Sequence, residues 1–293
     1  MKVAFLGPEG TFSEEALFAA VDRAEVNPVP LPTIYDCVLA VQERQVEHAF
    51  VPIENSLEGS VSATLDALVF ETDQVTISGE VVHPVQHSLV ARTKLELDAI
   101  ERVVSHPQAS AQCARFLRER LAGAEVVATA STADAVRLVA ETDARWAALG
   151  TRLSAEIYGC EVLLAGVEDH PENETRFVWL ENRAAGTASA ARTGPPFKTS
   201  LVFWGLPDAP GALVEVLQEF AARDVNLSKI ESRPLKQGLG RYIFFADLHG
   251  ATSDDRVSEA IAAVGARVET LRVLGSYPAA RTQPTTGGLP RNA

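Results

Sequence analysis

Residues 3–21, VAFLGPEGTFSEEALFAAV, decide how the chain reads. Residues 3–6 are a short apolar run of the kind that forms a buried strand, and Gly7-Pro8-Glu9-Gly10 is a turn. Thr11-Phe12-Ser13-Glu14 matches a capping box opening an amphipathic helix that runs to Val21. Strand, polar turn and helix start recur at residues 49–52, 103–105 and 126–129, so residues 1 to about 180 predict an α/β domain. In such sheets the polar turns gather at one edge and ligands bind in the crevice they line. Residues 74–91, QVTISGEVVHPVQHSLVA, read as extended chain crossing from one lobe to another, and two lobes with a cleft between them fit the pattern best.

The chain has 293 residues, 46% of them hydrophobic, enough for two or three compact units. With 26 Lys and Arg against 39 Asp and Glu, the formal charge is -13, which disfavours nucleic-acid and anionic-membrane partners. An anionic substrate then requires a locally positive pocket. The first apolar run is too short for a signal peptide and no stretch is long enough to span a membrane, so the expected location is cytoplasmic. Cys37, Cys113 and Cys160 are odd in number, far apart and set among apolar residues, which predicts buried free thiols. Without an export signal, the glycosylation patterns at Asn173-Glu174-Thr175 and Asn226-Leu227-Ser228 read as accidental.

Residues 181–197, ENRAAGTASAARTGPPF, lack apolar periodicity and predict a linker. Beyond it come a strand (199–204), a helix (211–222), two strands (227–232 and 241–248), a helix (254–264) and a strand (267–274). This βαββαβ order is that of a ferredoxin-like module. The expected domains are thus 1–180, a linker at 181–197, a second domain at 198–277 and a disordered tail at 278–293.

Four polar stretches stand at strand ends of the first domain: GPEGTFS (7–13), PIENSLEGS (52–60), SHPQASAQC (105–113) and NETRF (173–177). Singly, each reads as caps and turns, with Pro107 suited to a first helical position after Ser105 or His106. Together, four hydroxyl- or amide-bearing turns on one edge predict a polar pocket. His83 and His87 have Pro84 between them and no further ligand pattern, so no metal is expected. GPEG is neither a Walker loop nor a dinucleotide fingerprint, so no nucleotide cofactor is expected.

The motifs GPEGTFSEEA, VPIENSLEGSV, SHPQASAQC, STADA (131–135), AEIYG (155–159) and NETRF, in this order, resemble the bacterial monofunctional prephenate dehydratases with a C-terminal regulatory ACT domain, over nearly the whole chain. The resemblance implies a periplasmic-binding-protein-like catalytic region of two α/β lobes, followed by the ACT domain. It implies that Thr175 is the residue most closely tied to activity, and that Asn55, Ser56, Ser105, Gln112, Arg176 and Phe177 bind substrate. GALV (Gly211, Ala212, Leu213, Val214) and ESRP (Glu231, Ser232, Arg233, Pro234) correspond to the motifs by which such ACT domains bind phenylalanine, commonly across a subunit interface. The implied partners are prephenate and phenylalanine as a feedback inhibitor, and the implied assembly is a homodimer or homotetramer. With the first catalytic motif at residue 7, no fused mutase is expected ahead of it.

Prephenate would lose carbon dioxide and its ring hydroxyl, driven by aromatisation, with no cofactor. The catalyst must ease hydroxide off the ring, a task for placed hydrogen-bond donors. Thr175 is expected to donate, directly or through water or Gln112. Clamping the departing carboxylate would oppose its loss, so any Arg176 clamp belongs to the carboxylate that persists. A regular strand, however, turns Thr175 and Phe177 to one face and Arg176 to the other. Rival readings are an arogenate dehydratase and a non-catalytic amino-acid-binding regulator.

Overall fold

The computed structural model describes residues 1–183 and 196–280. These form two compact units, one of Met1–Val75 with His83–Asn182, the other of Thr76–Val82 with the residues from Arg183 onward.

In the first lobe of the first unit come β1 (Lys2–Leu6), α1 (Phe12–Ala20), β2 (Asn27–Leu31), α2 (Ile34–Gln42), β3 (His48–Asn55), β4 (Gly59–Ser60) and α3 (Ser62–Asp66), followed by β5 (Val75–Pro84), whose residues Thr76–Val82 are counted with the second unit. The second lobe contributes β6 (Ser88–Ala91), β7 (Arg102–Ser105), α4 (Pro107–Gln112), α5 (Ala114–Arg120), β8 (Glu125–Ala128), α6 (Thr132–Ala140), β9 (Trp146–Gly150), α7 (Arg152–Tyr158) and β10 (Glu161–Ala165). The chain then returns to the first lobe as β11 (Glu174–Asn182).

The two sheets follow one plan. The first has order β2-β1-β3-β11-β5, with β1 parallel to both β2 and β3 and β11 antiparallel to β3. The second has order β10-β6-β9-β7-β8, with β7 parallel to both β8 and β9 and β6 antiparallel to β9. The expected crossing over residues 74–91 is therefore present, as the step from β5 to β6, and a second crossing leads from β10 to β11. The crossings are bonded together: Val85 N donates to Asn173 O (2.8 Å) and Val167 N to His87 O (3.0 Å).

Unbroken apolar runs form the central strands because both faces are covered. In the second lobe Leu89, Val103 and Leu149 pack into one core while Val90, Val104 and Ala148 pack into another, as side-chain alternation requires. Helices start where the sequence supplies caps: Ser131 Oγ accepts from Asp134 N (3.0 Å) and Thr151 Oγ1 from Ser154 N (2.9 Å). The expected capping box at Thr11 is different. Thr11 Oγ1 turns back to donate to Leu6 O (3.0 Å), and Glu14 reaches past Thr11 to accept from Gly10 N (2.5 Å). Of the three cysteines, Cys37 and Cys113 are buried, whereas Cys160 is only half-buried.

The second unit contains β12 (Phe197–Trp204), α8 (Ala212–Ala221), β13 (Leu227–Pro234), β14 (Tyr242–His249), α9 (Asp255–Gly265) and β15 (Thr270–Pro278). The sheet order β13-β14-β12-β15 gives the expected βαββαβ module, with Leu201, Phe203, Val216, Phe220 and Val264 in its core. β11 extends to Asn182, into the stretch read as a linker, because it continues to pair with β3 as far as Glu181 opposite His48. The rest of that stretch from 184 to 195, and the tail from 281, lie outside the described residues.

Candidate active site

A cavity of about 300 Å³ opens in the first unit, lined from the first lobe by Phe12, Pro52, Asn55, Thr175 and Phe177 and from the second by Gln108, Gln112 and Thr132. That volume is at the small end of ligand pockets and suits one compact ring. Val85 and His87, on the first crossing, close one side. Phe177 is nearly buried and stacks on Phe50 at 5.0 Å between ring centroids, forming an apolar wall.

The register of β11 against β3 sets which side chains meet. Thr175 lies opposite Asn55 and Arg176 opposite Glu54, but Phe177 lies opposite Pro52, so Ile53 is an extra residue on β3. This bulge brings Pro52 and Asn55, three apart, to the same cavity, which unbroken alternation would forbid. β11 itself stays regular. Thr175 and Phe177 face the cavity, while Arg176 faces away and its Nη2 pairs with Glu54 Oε2 at 2.9 Å.

One hydrogen-bonded chain connects the polar wall. Asn55 Nδ2 donates to Thr175 Oγ1 (3.0 Å) and to Asn173 Oδ1 (2.8 Å), and Asn173 Nδ2 donates to Gln112 Oε1 (3.3 Å). Gln112 Oε1 also meets His87 Nε2 at 2.9 Å. Asn55 Oδ1 accepts from the backbone N–H groups of Leu57 and Glu58, both at 3.0 Å. Every amide oxygen in the chain is therefore already engaged. What faces outward is donor: the Thr175 proton, because its oxygen accepts from Asn55, and the Gln112 Nε2 protons.

Two expected substrate ligands lie elsewhere. Ser105 is fully buried and its Oγ donates to Leu149 O at 2.9 Å, joining neighbouring strands. Ser56 is exposed, outside the cavity lining, and its Oγ accepts from Glu174 N (3.0 Å), bracing the turn beneath Asn55. Asn55, Gln112, Thr175 and Phe177 do line the cavity. His87 and Asn173 went unmarked by sequence reasoning: one looked like a failed metal ligand, the other like a fortuitous glycosylation pattern. Asn173 is fully buried.

Among the described residues the lining contains no Lys, Arg, Asp or Glu, so the locally positive pocket expected for an anion has to draw on another source. The first turns of α1 and α6, each nine residues long, reach it from opposite lobes through Phe12, Ser13 and Thr132. The N–H groups of Phe12, Ser13, Thr132 and Ala133 meet no acceptor among the described residues, the usual state of a helix start and one suited to an anion. Burial holds the His87 ring below its ordinary pKa against the opposing bond to Gln112, so it is neutral at neutral pH.

In the second unit Gly211 caps α8 with φ +88°, a left-handed conformation. Ala212, Leu213 and Val214 form the helix's first turn. β13 divides the other motif: Glu231 and Arg233 are half-buried on one face, Ser232 and Pro234 exposed on the other.

Comparison with known proteins agrees with this architecture. The family model for prephenate dehydratase matches residues 3–185 and that for the ACT domain residues 199–266. A prephenate dehydratase of Mycobacterium sp. (strain JLS) is 40% identical over 287 residues, covering 94% of this chain and 89% of its own length. The crystal structure of prephenate dehydratase from Arthrobacter aurescens in complex with L-Phe is 40% identical, with a TM-score of 0.85 over 95% of this chain and 90% of that one. GqqA, described as a novel type of quorum quenching acylase, is 30% identical, with a TM-score of 0.83 over 95% of this chain and 98% of that one. The chain belongs to the prephenate dehydratase family and carries a C-terminal ACT domain.

Proposed function

We propose that the chain converts prephenate to phenylpyruvate, and that phenylalanine inhibits it by feedback through the ACT domain. The observation that carries this reading is the donor-presenting wall formed by Thr175, Asn55 and Gln112. The ring carboxylate leaves as carbon dioxide, and its bonding pair enters the ring. The C–O pair of the para hydroxyl departs with the oxygen, which becomes water on taking a proton. Hydrogen bonds from Thr175 and Gln112 strengthen as charge grows on that oxygen and so favour the transition state over the ground state. Thr175 keeps its own proton or passes it on only as solvent restores it, since its hydroxyl is a weak acid.

The carboxylate that persists in phenylpyruvate is assigned to the N–H groups opening α1 and α6 rather than to Arg176, whose guanidinium is held by Glu54 on the far face. Phe177 supports the ring, and Ser56 holds Asn55 in place. Gly211, Ala212, Leu213 and Val214, with Glu231, Ser232, Arg233 and Pro234, are assigned to phenylalanine binding. A ligand that favours one quaternary state inhibits through a homodimer or homotetramer. No helix among the described residues is long and apolar enough to cross a membrane, and the three free thiols suit a reducing cytoplasm.

The likeness to GqqA raises a second reading, acyl transfer. That chemistry needs a nucleophile beside a base, whereas the Thr175 oxygen accepts from an amide donor, which reduces its nucleophilicity. An ultraviolet assay for phenylpyruvate, with and without phenylalanine and with arogenate in parallel, tests the proposal. Faster turnover of arogenate would reassign the substrate, and release of acid from an acyl amide without phenylpyruvate formation would favour the acylase.

A further inference from the structure

His87 occupies the crossing between the lobes and plays no part in the reaction as described above. The residue is 2% exposed, and its Nε2 lies 2.9 Å from Gln112 Oε1. Resting on the dehydratase reading, we propose that His87 is a positioning residue: its Nε2–H holds the Gln112 carbonyl oxygen and thereby aims the Gln112 amide protons at the substrate.

The direction of that bond follows from the surroundings. His87 Nδ1 is buried and meets no partner among the described residues, so a proton there would be an enclosed, unsatisfied donor. The proton of the neutral ring therefore resides on Nε2, which makes His87 a donor to Gln112. Asn173 Nδ2 supplies a second donor to the same oxygen at 3.3 Å. Reversing the Gln112 amide would set its NH2 group against two donors. The ring is itself fixed: His87 N donates to Glu168 Oε2 (2.8 Å), its carbonyl accepts from Val167 N (3.0 Å), and Phe12 meets the ring edge-on at 5.0 Å. Gln112 is the last residue of a six-residue helix, where its backbone does little to orient a long side chain. Glu168 and Glu15 favour the charged ring but are outweighed by burial.

A double-mutant cycle on prephenate turnover tests the proposal. His87→Leu should lower kcat about 10-fold or more, the scale expected when a catalytic group is left misaligned. His87→Gln, which can still donate, should recover most of that loss. In a Gln112→Ala background His87→Leu should change kcat less than about 2-fold, because the two residues act as one unit. An equal loss in both backgrounds overturns the proposal, as does a His87→Gln variant that melts like wild type yet turns over no better than His87→Leu. Nitrogen NMR of the wild-type ring gives a readout independent of turnover: the Nε2–H tautomer is expected at pH 7, and an Nδ1–H tautomer overturns the proposal. A wild-type chain inactive on prephenate would sink the dehydratase reading instead, and the ring tautomer would still decide the direction of the bond.

Discussion

Replacing Thr175 with valine removes a hydroxyl while keeping the branched shape that suits a strand. Asn55 Nδ2 loses its 3.0 Å contact to Thr175 Oγ1 but keeps Asn173 Oδ1 at 2.8 Å and Glu174 O at 3.2 Å. The amide donor is therefore not orphaned, and the stability cost is that of one ordinary hydrogen bond, about 1 kcal/mol. For a unit of this size that lowers the melting temperature by about 2–4 °C. The effect on rate is far larger. A donor aimed at developing negative charge contributes about 2.7–4 kcal/mol to the transition state, so kcat should fall about 10²–10³-fold. Because the donor acts mainly in the transition state, kcat and kcat/KM should fall together. Initial rates of phenylpyruvate formation and a thermal melt measure both quantities, with Thr175→Ser expected to retain activity within about 10-fold. A folded Thr175→Val enzyme with near-normal kcat would refute the donor argument.

Ser105→Ala should cost about 1 kcal/mol in urea unfolding through the lost bond to Leu149 O and leave kcat and KM nearly unchanged. Arg176→Met should destabilise by about 2 kcal/mol, less than the 3–5 of a fully buried pair because Glu54 is 37% exposed, with little change in KM for prephenate. Burial raises the Glu14 pKa in the folded chain against the Gly10 bond, so ionised Glu14 costs stability above that raised pKa and nothing below the unfolded value. Glu14→Gln should thus raise the melting temperature at pH 7.5, with the gain vanishing near pH 4. Gly211→Ala forces an alanine to φ +88° with open space around its Cβ, so backbone strain alone, about 1–2 kcal/mol, should weaken inhibition by phenylalanine in the same rate assay.

Much of the frame was legible in the sequence because β1, β3, β7 and β8 are announced by apolar runs and closed by polar turns. The extended reading of residues 74–91 located the first crossing, and strand alternation separated Thr175 and Phe177 from Arg176. Where sequence reasoning failed, long-range partners had overridden local pattern. Ser105 looks like a pocket hydroxyl until the carbonyl of Leu149, 44 residues on, accepts its hydrogen bond. Glu14 has the spacing of a capping box yet reaches Gly10 instead of Thr11. The extra residue at Ile53 leaves no mark in a run of strand-forming residues, although it decides that Pro52 and Asn55 share a face. His87 and Asn173 stand on crossings whose partners are set by the fold, and the locally positive pocket expected for an anion has no Lys or Arg in its lining among the described residues.

The double crossing of the chain bears on how the protein is made. The β3 edge that will receive β11 stays open while the ribosome supplies more than a hundred further residues, since Thr175 follows Asn55 by 120 positions. Pairing over such a separation is slow and leaves a sticky edge exposed meanwhile. A nascent chain stopped after β10 would possess every strand of the second sheet and no Thr175, so catalytic competence must wait until β11 has been made and has reached the β3 edge.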